Sequence, residues 1–162
     1  MKYRLNTQVS AILDTAREEA REMGNNYVGS EHLLLAILKD TATPLSRLLC
    51  AQGVYYFQLK EDLMVLFGLK DQDVEELQIT QVVDDILERG MSLSSRKQNT
   101  MMDVDSLTLA LLQTNSCVAT EILHRYDVDE EVLLLQMEHG SMSELDKISE
   151  LRNLNKIGRA HV

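Results

Sequence analysis

The sequence predicts an all-α protein made of two tandem four-helix units packed as a pseudo-twofold single globular domain. Three observations predict it. Apolar residues recur at three- and four-residue steps between glycine, asparagine and proline punctuation. The apolar pattern returns when the chain is shifted by 74 residues without a gap. The composition is 44% hydrophobic with two phenylalanines, five tyrosines and no tryptophan, so aliphatic side chains must fill the core, as suits small helices packed on one another.

In the first unit, Asn6 is placed to cap a helix reaching to about Met23, with Val9, Ile12, Leu13, Ala16 and Ala20 as one buried stripe. Gly24-Asn25-Asn26 ends it, because glycine and asparagine tolerate the left-handed conformation of a C-cap. After Tyr27-Val28-Gly29, Ser30 is the expected N-cap of a short second helix, with Glu31 in its first turn and Leu33, Leu34, Ile37 and Leu38 as its apolar face. Pro44 lacks an amide hydrogen and suits the first turn of a third helix from about Thr43 to Gln52, with Leu45, Leu48 and Leu49 facing inward and Gly53 as its stop. A fourth helix, Tyr56 to Phe67, is expected to bury Leu59, Leu63, Leu66 and Phe67. The cluster Tyr55-Tyr56-Phe57 is expected to anchor it in the core, with Tyr55 or Tyr56 as the ring left exposed.

The shift places Leu5 on Ile79, Val9 on Val83, Ile12 on Ile86, Leu48-Leu49 on Ile122-Leu123, and EHLLLAILK from Glu31 on DSLTLALLQ from Asp105. Thr80 is thus the cap of a helix burying Val82, Val83, Ile86 and Leu87, which runs past Gly90 and frays there, since a mid-helix glycine costs about 1 kcal/mol. Val104 stands where Ser30 would cap, so Asp103 or Asp105 must serve the next helix. Further helices follow from Cys117 to Arg125 and from Asp129 to about Glu138. Met101 and Met102 are expected to fill a gap between the units, with a soft binding surface as the other use. The chain therefore divides into a first repeat at 1–68, a linker at 69–78, a diverged second repeat at 79–139 and an onward segment at 140–162. Neither unit buries much alone, so the two are expected to close one core.

A formal net charge of -10 disfavours a phosphate backbone as partner and favours a cationic one, such as an arginine-bearing segment. No apolar run approaches membrane-spanning length and no secretory pattern opens the chain, so a cytoplasmic setting is expected. Cys50 and Cys117 show no ligand spacing and read as buried free thiols. Ser30, Glu31 and His32 are adjacent on a helix and point in different directions, so they do not converge as a triad; His32 reads as a packing residue.

The run Gly24-Asn25-Asn26-Tyr27-Val28-Gly29-Ser30-Glu31-His32-Leu33-Leu34-Leu35 resembles the GHNYVGTEHLLL signature of the Clp repeat. With the degraded second copy, the resemblance covers about residues 3 to 138 and is best to the ClpC type. It implies an N-terminal domain, monomeric in isolation, that recruits adaptor proteins and protein substrates to a ring-shaped AAA+ unfoldase. That parent uses ATP and Mg in modules absent here and works with a peptidase partner. A free-standing Clp-repeat regulatory or adaptor-binding protein is the alternative. No GxxxxGK[ST] occurs, so no enzyme activity and no cofactor are expected of this chain.

In the ClpC branch the resemblance also implies recognition of phosphoarginine. The family's pocket uses a threonine at the cap of the first helix and a glutamate opening the short helix, once per repeat. Asn6 and Glu31 match the first pair, and Thr80 and Asp105 the second. Free helix amides and cap groups hold a phosphate, and a carboxylate pairs with the guanidinium. Asn6 replaces threonine, and Asp105 is one methylene shorter than glutamate. Glu31 in a first turn also has an ordinary role beside the helix dipole. A ligand site requires it to be reachable from outside.

Overall fold

The helices α1 (Thr7–Glu22), α2 (Ser30–Lys39), α3 (Pro44–Ala51) and α4 (Tyr56–Phe67) are followed by α5 (Gln81–Arg96), α6 (Val104–Leu112), α7 (Val118–Arg125) and α8 (Glu130–His139). The structure, a computed structural model, describes residues 3–69 and 76–139. The onward segment at 140–162 and part of the linker lie outside the described residues. Each helix of the second set begins 74 positions after its counterpart: Thr7 and Gln81, Ser30 and Val104, Pro44 and Val118, Tyr56 and Glu130.

The pseudo-twofold relation extends to the backbone pairing. Two-residue strands β1 (Tyr27–Val28) and β2 (Gln78–Ile79) pair in parallel, with Val28 opposite Ile79. Leu5 bridges Met102 in parallel. The same shift turns one pairing into the other, and Thr80 N–H donates to Val28 O at 3.1 Å as Asn6 N–H donates to Met102 O at 3.1 Å. An all-α expectation therefore needs one addition: the repeats are stitched by short backbone bridges, and the last residues of the linker form one of them.

Helix α2 lies at the centre, touching α1, α3, α4, α5 and α7, and every residue from Ser30 to Leu38 is buried. This corrects the single apolar face of Leu33, Leu34, Ile37 and Leu38 expected from the sequence, since Leu35 and Ala36 are buried as well. The α1 stripe of Val9, Ile12, Leu13, Ala16 and Ala20 is buried as predicted, and so is Glu19. The Glu19 carboxylate accepts from the Tyr56 hydroxyl and pairs with Lys60 Nζ at 2.9 Å, which also holds Glu22. Tyr56 is thus a half-buried tether between α1 and α4, its hydroxyl pKa pushed up to about 12 by burial and by Glu19.

Several burial expectations are corrected. On α4, Leu59 and Leu63 are buried, but Leu66 and Phe67 are exposed, because among the described residues α4 packs chiefly on α2 and little covers its outer side. Phe57 is 82% exposed and Tyr55 54%, so the aromatic cluster anchors through Tyr56 alone. Val82 is exposed beside buried Val83, Ile86 and Leu87. Cys50 is exposed and Cys117 buried, both as free thiols. Met102 is fully buried and Met101 is exposed.

Gly90 continues α5 and has a packing reason. A Cβ there would lie 2.8 Å from the Met102 sulfur. The equivalent positions in the first repeat are Ala16 and Val28, both buried. A larger side chain at 102 is matched by a smaller one at 90, which conserves volume across the seam.

Candidate functional site

The amino ends of α2, α5 and α7 face one cleft of about 250 Å³, whose walls include Gly29, Glu31, Thr80 and Val118. Their N-caps are Gly29, Thr80 and Cys117. Only Thr80 caps its own helix, accepting Val83 N–H at 3.2 Å. Gly29 and Cys117 provide no side-chain cap, so the starts of α2 and α7 are served from elsewhere: the Glu31 carboxylate takes its own amide hydrogen, and Ser30 takes Ala119 N–H.

Ser30 is not the N-cap of α2. It is the first helical residue, and its hydroxyl accepts Ala119 N–H at 3.1 Å, capping α7 from 89 positions away. Nothing local to Ser30 signals this, because its partner arrives only when the two repeats close.

His32 organises the α2 start. Its Nδ1 accepts Gly29 N–H at 2.9 Å, which leaves Nε2 to donate to Asn25 Oδ1, also 2.9 Å away. Asn25 in turn donates to Phe67 O at 2.9 Å. The ring is fully buried, and burial lowers its pKa to about 4, so it is a neutral imidazole with a fixed tautomer. The packing role read from the sequence holds, with a hydrogen-bonded chain from α2 to the end of α4 added to it.

Glu31 is 2% exposed. This corrects the picture of a carboxylate standing in solvent at a helix start: it lines the cleft wall but is folded inward. A Cβ on Gly29 would sit 1.9 Å from Glu31 Oε1, so the carboxylate curls into the space a cap side chain would fill. Burial raises its pKa, opposed by its own amide hydrogen and by the Tyr27 hydroxyl. Tyr27 is raised correspondingly, by burial first and then by the Glu31 charge.

The four sequence-derived positions do not pair repeat by repeat. Glu31 of the first repeat shares its cleft with Thr80 of the second. Asn6, capping α1 by accepting Val9 N–H at 2.8 Å, is tied through its own amide to Met102, just before α6. Asp105 lies in the first turn of α6 and is exposed. The cap of α6 is Asp103, which accepts from Ser106 N–H, Lys97 Nζ and Asn99 Nδ2, each at 2.8 Å. The parallel bridges cross the repeats, so the cleft that holds Glu31 draws its cap, Thr80, from the other repeat. An alignment of the repeats cannot reveal this, because equivalence in sequence says nothing about which copy is the neighbour.

Two four-helix repeats, related by a pseudo-twofold and bridged through β1 and β2, define a class of helical N-terminal domain. The Clp repeat (R) N-terminal domain matches residues 4–126, and the chain belongs to that family. Among curated relatives, the negative regulator of genetic competence ClpC/MecB of Bacillus subtilis is 22% identical over 125 residues, which is 77% of this chain and 15% of the relative. The chain therefore spans about one sixth or less of the length of such relatives. Among solved structures, the Hsp104 N-terminal domain from Candida albicans has a TM-score of 0.70 at 16% identity, covering 86% of this chain and 93% of that one. A ClpV N-domain in complex with a VipB peptide has a TM-score of 0.61 at 20% identity, covering 80% and 82%. These likenesses agree with the observed helical fold. Among the described residues, no helix is long and apolar enough to cross a membrane.

Proposed function

We propose that this chain is a recruiting domain, gathering adaptor proteins and protein substrates for a Clp-type unfoldase whose ATP- and Mg-dependent modules and peptidase partner lie outside it, in the cytoplasm. The family and the peptide complex of a ClpV N-domain support this reading. The cleft between α2, α5 and α7 is the ligand site, and phosphoarginine is its best chemical fit. The observation that carries it is the joining of a carboxylate, Glu31, with two helix starts that lack their own caps. The amides at those starts suit a phosphoryl group, and the carboxylate, once it turns from its own amide and Tyr27 into the cleft, suits the guanidinium of the same ligand. Thr80 adds a hydroxyl whose oxygen already serves Val83 while its hydrogen is free to donate.

Calorimetric titration of free phosphoarginine into the whole chain tests the assignment. One site is expected, lost in Glu31→Ala, weakened in Thr80→Val and unchanged in Asp105→Ala. No heat at about millimolar ligand removes the phosphoarginine reading. Binding that survives Glu31→Ala and fails in Asp105→Ala moves the site to the start of α6.

A further inference from the structure

Exposed apolar side chains are concentrated in one stretch. Of the ten large hydrophobic residues exposed among the described residues, six lie between Tyr55 and Leu69: Tyr55, Phe57, Val65, Leu66, Phe67 and Leu69. Val65 is 81% exposed, close to complete. The fold does not demand this. At the pseudo-twofold equivalents on α8, Phe57 becomes Glu131 and Val65 becomes His139. Burial of the inner face is kept, since Leu59 and its equivalent Leu133 are both fully buried. Among the described residues α8 exposes one large hydrophobic residue, Leu135, against four on α4, and this asymmetry marks the α4 face as a surface with its own use.

That face borders a groove. Asp62, Val65 and Leu66 of α4 face Ile122 and Arg125 of α7, with Tyr126 beyond them, across a space of about 340 Å³. The Tyr126 hydroxyl donates to Asp62, which closes one end. At the other end, Phe67 of α4 and Val118 of α7 both line the cleft that holds Glu31. The two helices run in opposite directions past each other, so the groove and that cleft lie next to one another along the same pair of helices.

Among the described residues the charge around the groove is acidic on balance. Asp62 and Arg125 line it, and Glu61 and Glu121 are further exposed acids on the two helices. Lys60, the nearest lysine on α4, is held by Glu19 and Glu22 on the other side of the helix.

The geometry points to the α4–α7 groove as a second contact surface for a peptide segment that carries large apolar side chains flanked by lysine or arginine, next to the Glu31 cleft. A segment whose arginine enters the cleft lays its neighbouring residues along α4, so the domain reads a short stretch of chain and not one side chain. The inference rests on the cleft reading only for what lies beside the groove; the groove itself stands on α4 and α7.

The test uses the whole chain and a fluorescein-labelled 12-residue synthetic peptide with one phosphoarginine, two lysines and two leucines. Two twins replace its leucines with serine or its lysines with glutamate. Val65→Ser/Leu66→Ser, at exposed positions where folding is not at stake, is expected to weaken anisotropy-detected binding about tenfold. Both twins are expected to bind less tightly than the parent, and peptide-induced amide shifts are expected on α4 and α7. Unchanged affinity in the double variant, or amide shifts confined to other helices, overturns the groove. Glu31→Gln separates the two readings. Loss there with full binding in the double variant keeps the cleft and sinks the groove, and the reverse keeps the groove and sinks the cleft. Amide shifts on α4 that depend on protein concentration without peptide, or that vanish on truncation after His139, assign the face to a second copy or to residues 140–162, and either result overturns a foreign peptide as its occupant.

Discussion

The two ends of the pseudo-twofold start from one design and finish differently. At the end formed by α2, α5 and α7, Gly29 and Cys117 leave their helices uncapped by their own side chains, and Glu31 folds inward. At the equivalent end, the starts of α1, α3 and α6 are capped by Asn6, Thr43 and Asp103. Pro44 stands where Val118 does, removing one more amide. Asp103 occupies the position of Gly29 and fills it with a carboxylate engaged by three donors. Burial pushes Asp103 up, but Lys97 and the Ser106 amide hold its pKa below the usual carboxylate range. One end leaves two helix starts to acceptors other than their own N-caps, Ser30 for α7 and the Glu31 carboxylate for α2, and the other caps each start with its own side chain. The two ends therefore differ in how their helix starts are capped while the fold of both repeats is kept.

The largest expected effect lies at His32, whose equivalent is Ser106. Ser106 is fully buried with no hydrogen-bond partner for its hydroxyl oxygen among the described residues, so the second repeat lacks the chain that His32 builds. His32→Ser copies that state into the first repeat. It leaves Gly29 N–H and Asn25 Oδ1 without their partner and opens a cavity, for a loss of about 3 kcal/mol in urea unfolding at neutral pH. The pH dependence has a definite sign. A histidine whose folded pKa is lowered from 6.5 to about 4 contributes stability that is complete above 6.5 and fades as pH falls toward 4. Glu31, with its pKa raised, acts in the opposite sense and is present in both proteins. The difference between wild type and His32→Ser is therefore expected to shrink on acidification from pH 7 to 4. A constant difference across that range would mean that the imidazole is not the buried neutral group described.

A smaller effect is expected at Ser30, where the repeats help each other. Ser30→Ala removes the acceptor for Ala119 N–H, while Val104 in the equivalent place has no hydroxyl to offer and α3 is served by Thr43 instead. A lost cap of this kind costs about 1 kcal/mol. Hydrogen exchange is the sharper measurement: protection should fall at the start of α7, in the other repeat, more than along α2. Equal loss in both helices would make Ser30 an ordinary residue of its own helix.

These two residues show what the sequence could and could not reveal. The helices were legible because apolar spacing and punctuation are local, and the 74-residue shift located every helix start of the second repeat from the first. His32 was readable as a packing residue because a histidine between leucines at a helix start has little else to do. The crossed pairing of the clefts, the capping of α7 by Ser30 and the inward fold of Glu31 were not legible. Each depends on which surfaces meet when the repeats close, and periodicity within one helix carries no information about that. The exposed face of α4 differs for a related reason: Leu66 and Phe67 continue an apolar pattern beyond the part of α4 that other described residues cover.

The smallest change in stability belongs to the substitution that tests the comparison most directly. Gly29→Asp gives the end that holds Glu31 the residue of the end capped by Asp103. Gly29 has φ -100, so no backbone strain opposes a side chain there. The obstacle is the Glu31 carboxylate, 1.9 Å from the new Cβ, and it sits at the end of a flexible side chain that can turn outward as the shorter Asp105 does. Aspartate is a good N-cap, and glycine trails it by only a few tenths of a kcal/mol, so the gain at the helix start offsets the loss of the curled carboxylate. The unfolding midpoint is expected to stay within about 1 kcal/mol of wild type, while phosphoarginine binding falls below detection by calorimetry. Retained binding would show that the inward position of Glu31 is not what makes the cleft a site, and the difference between the two ends would then have to lie in α7.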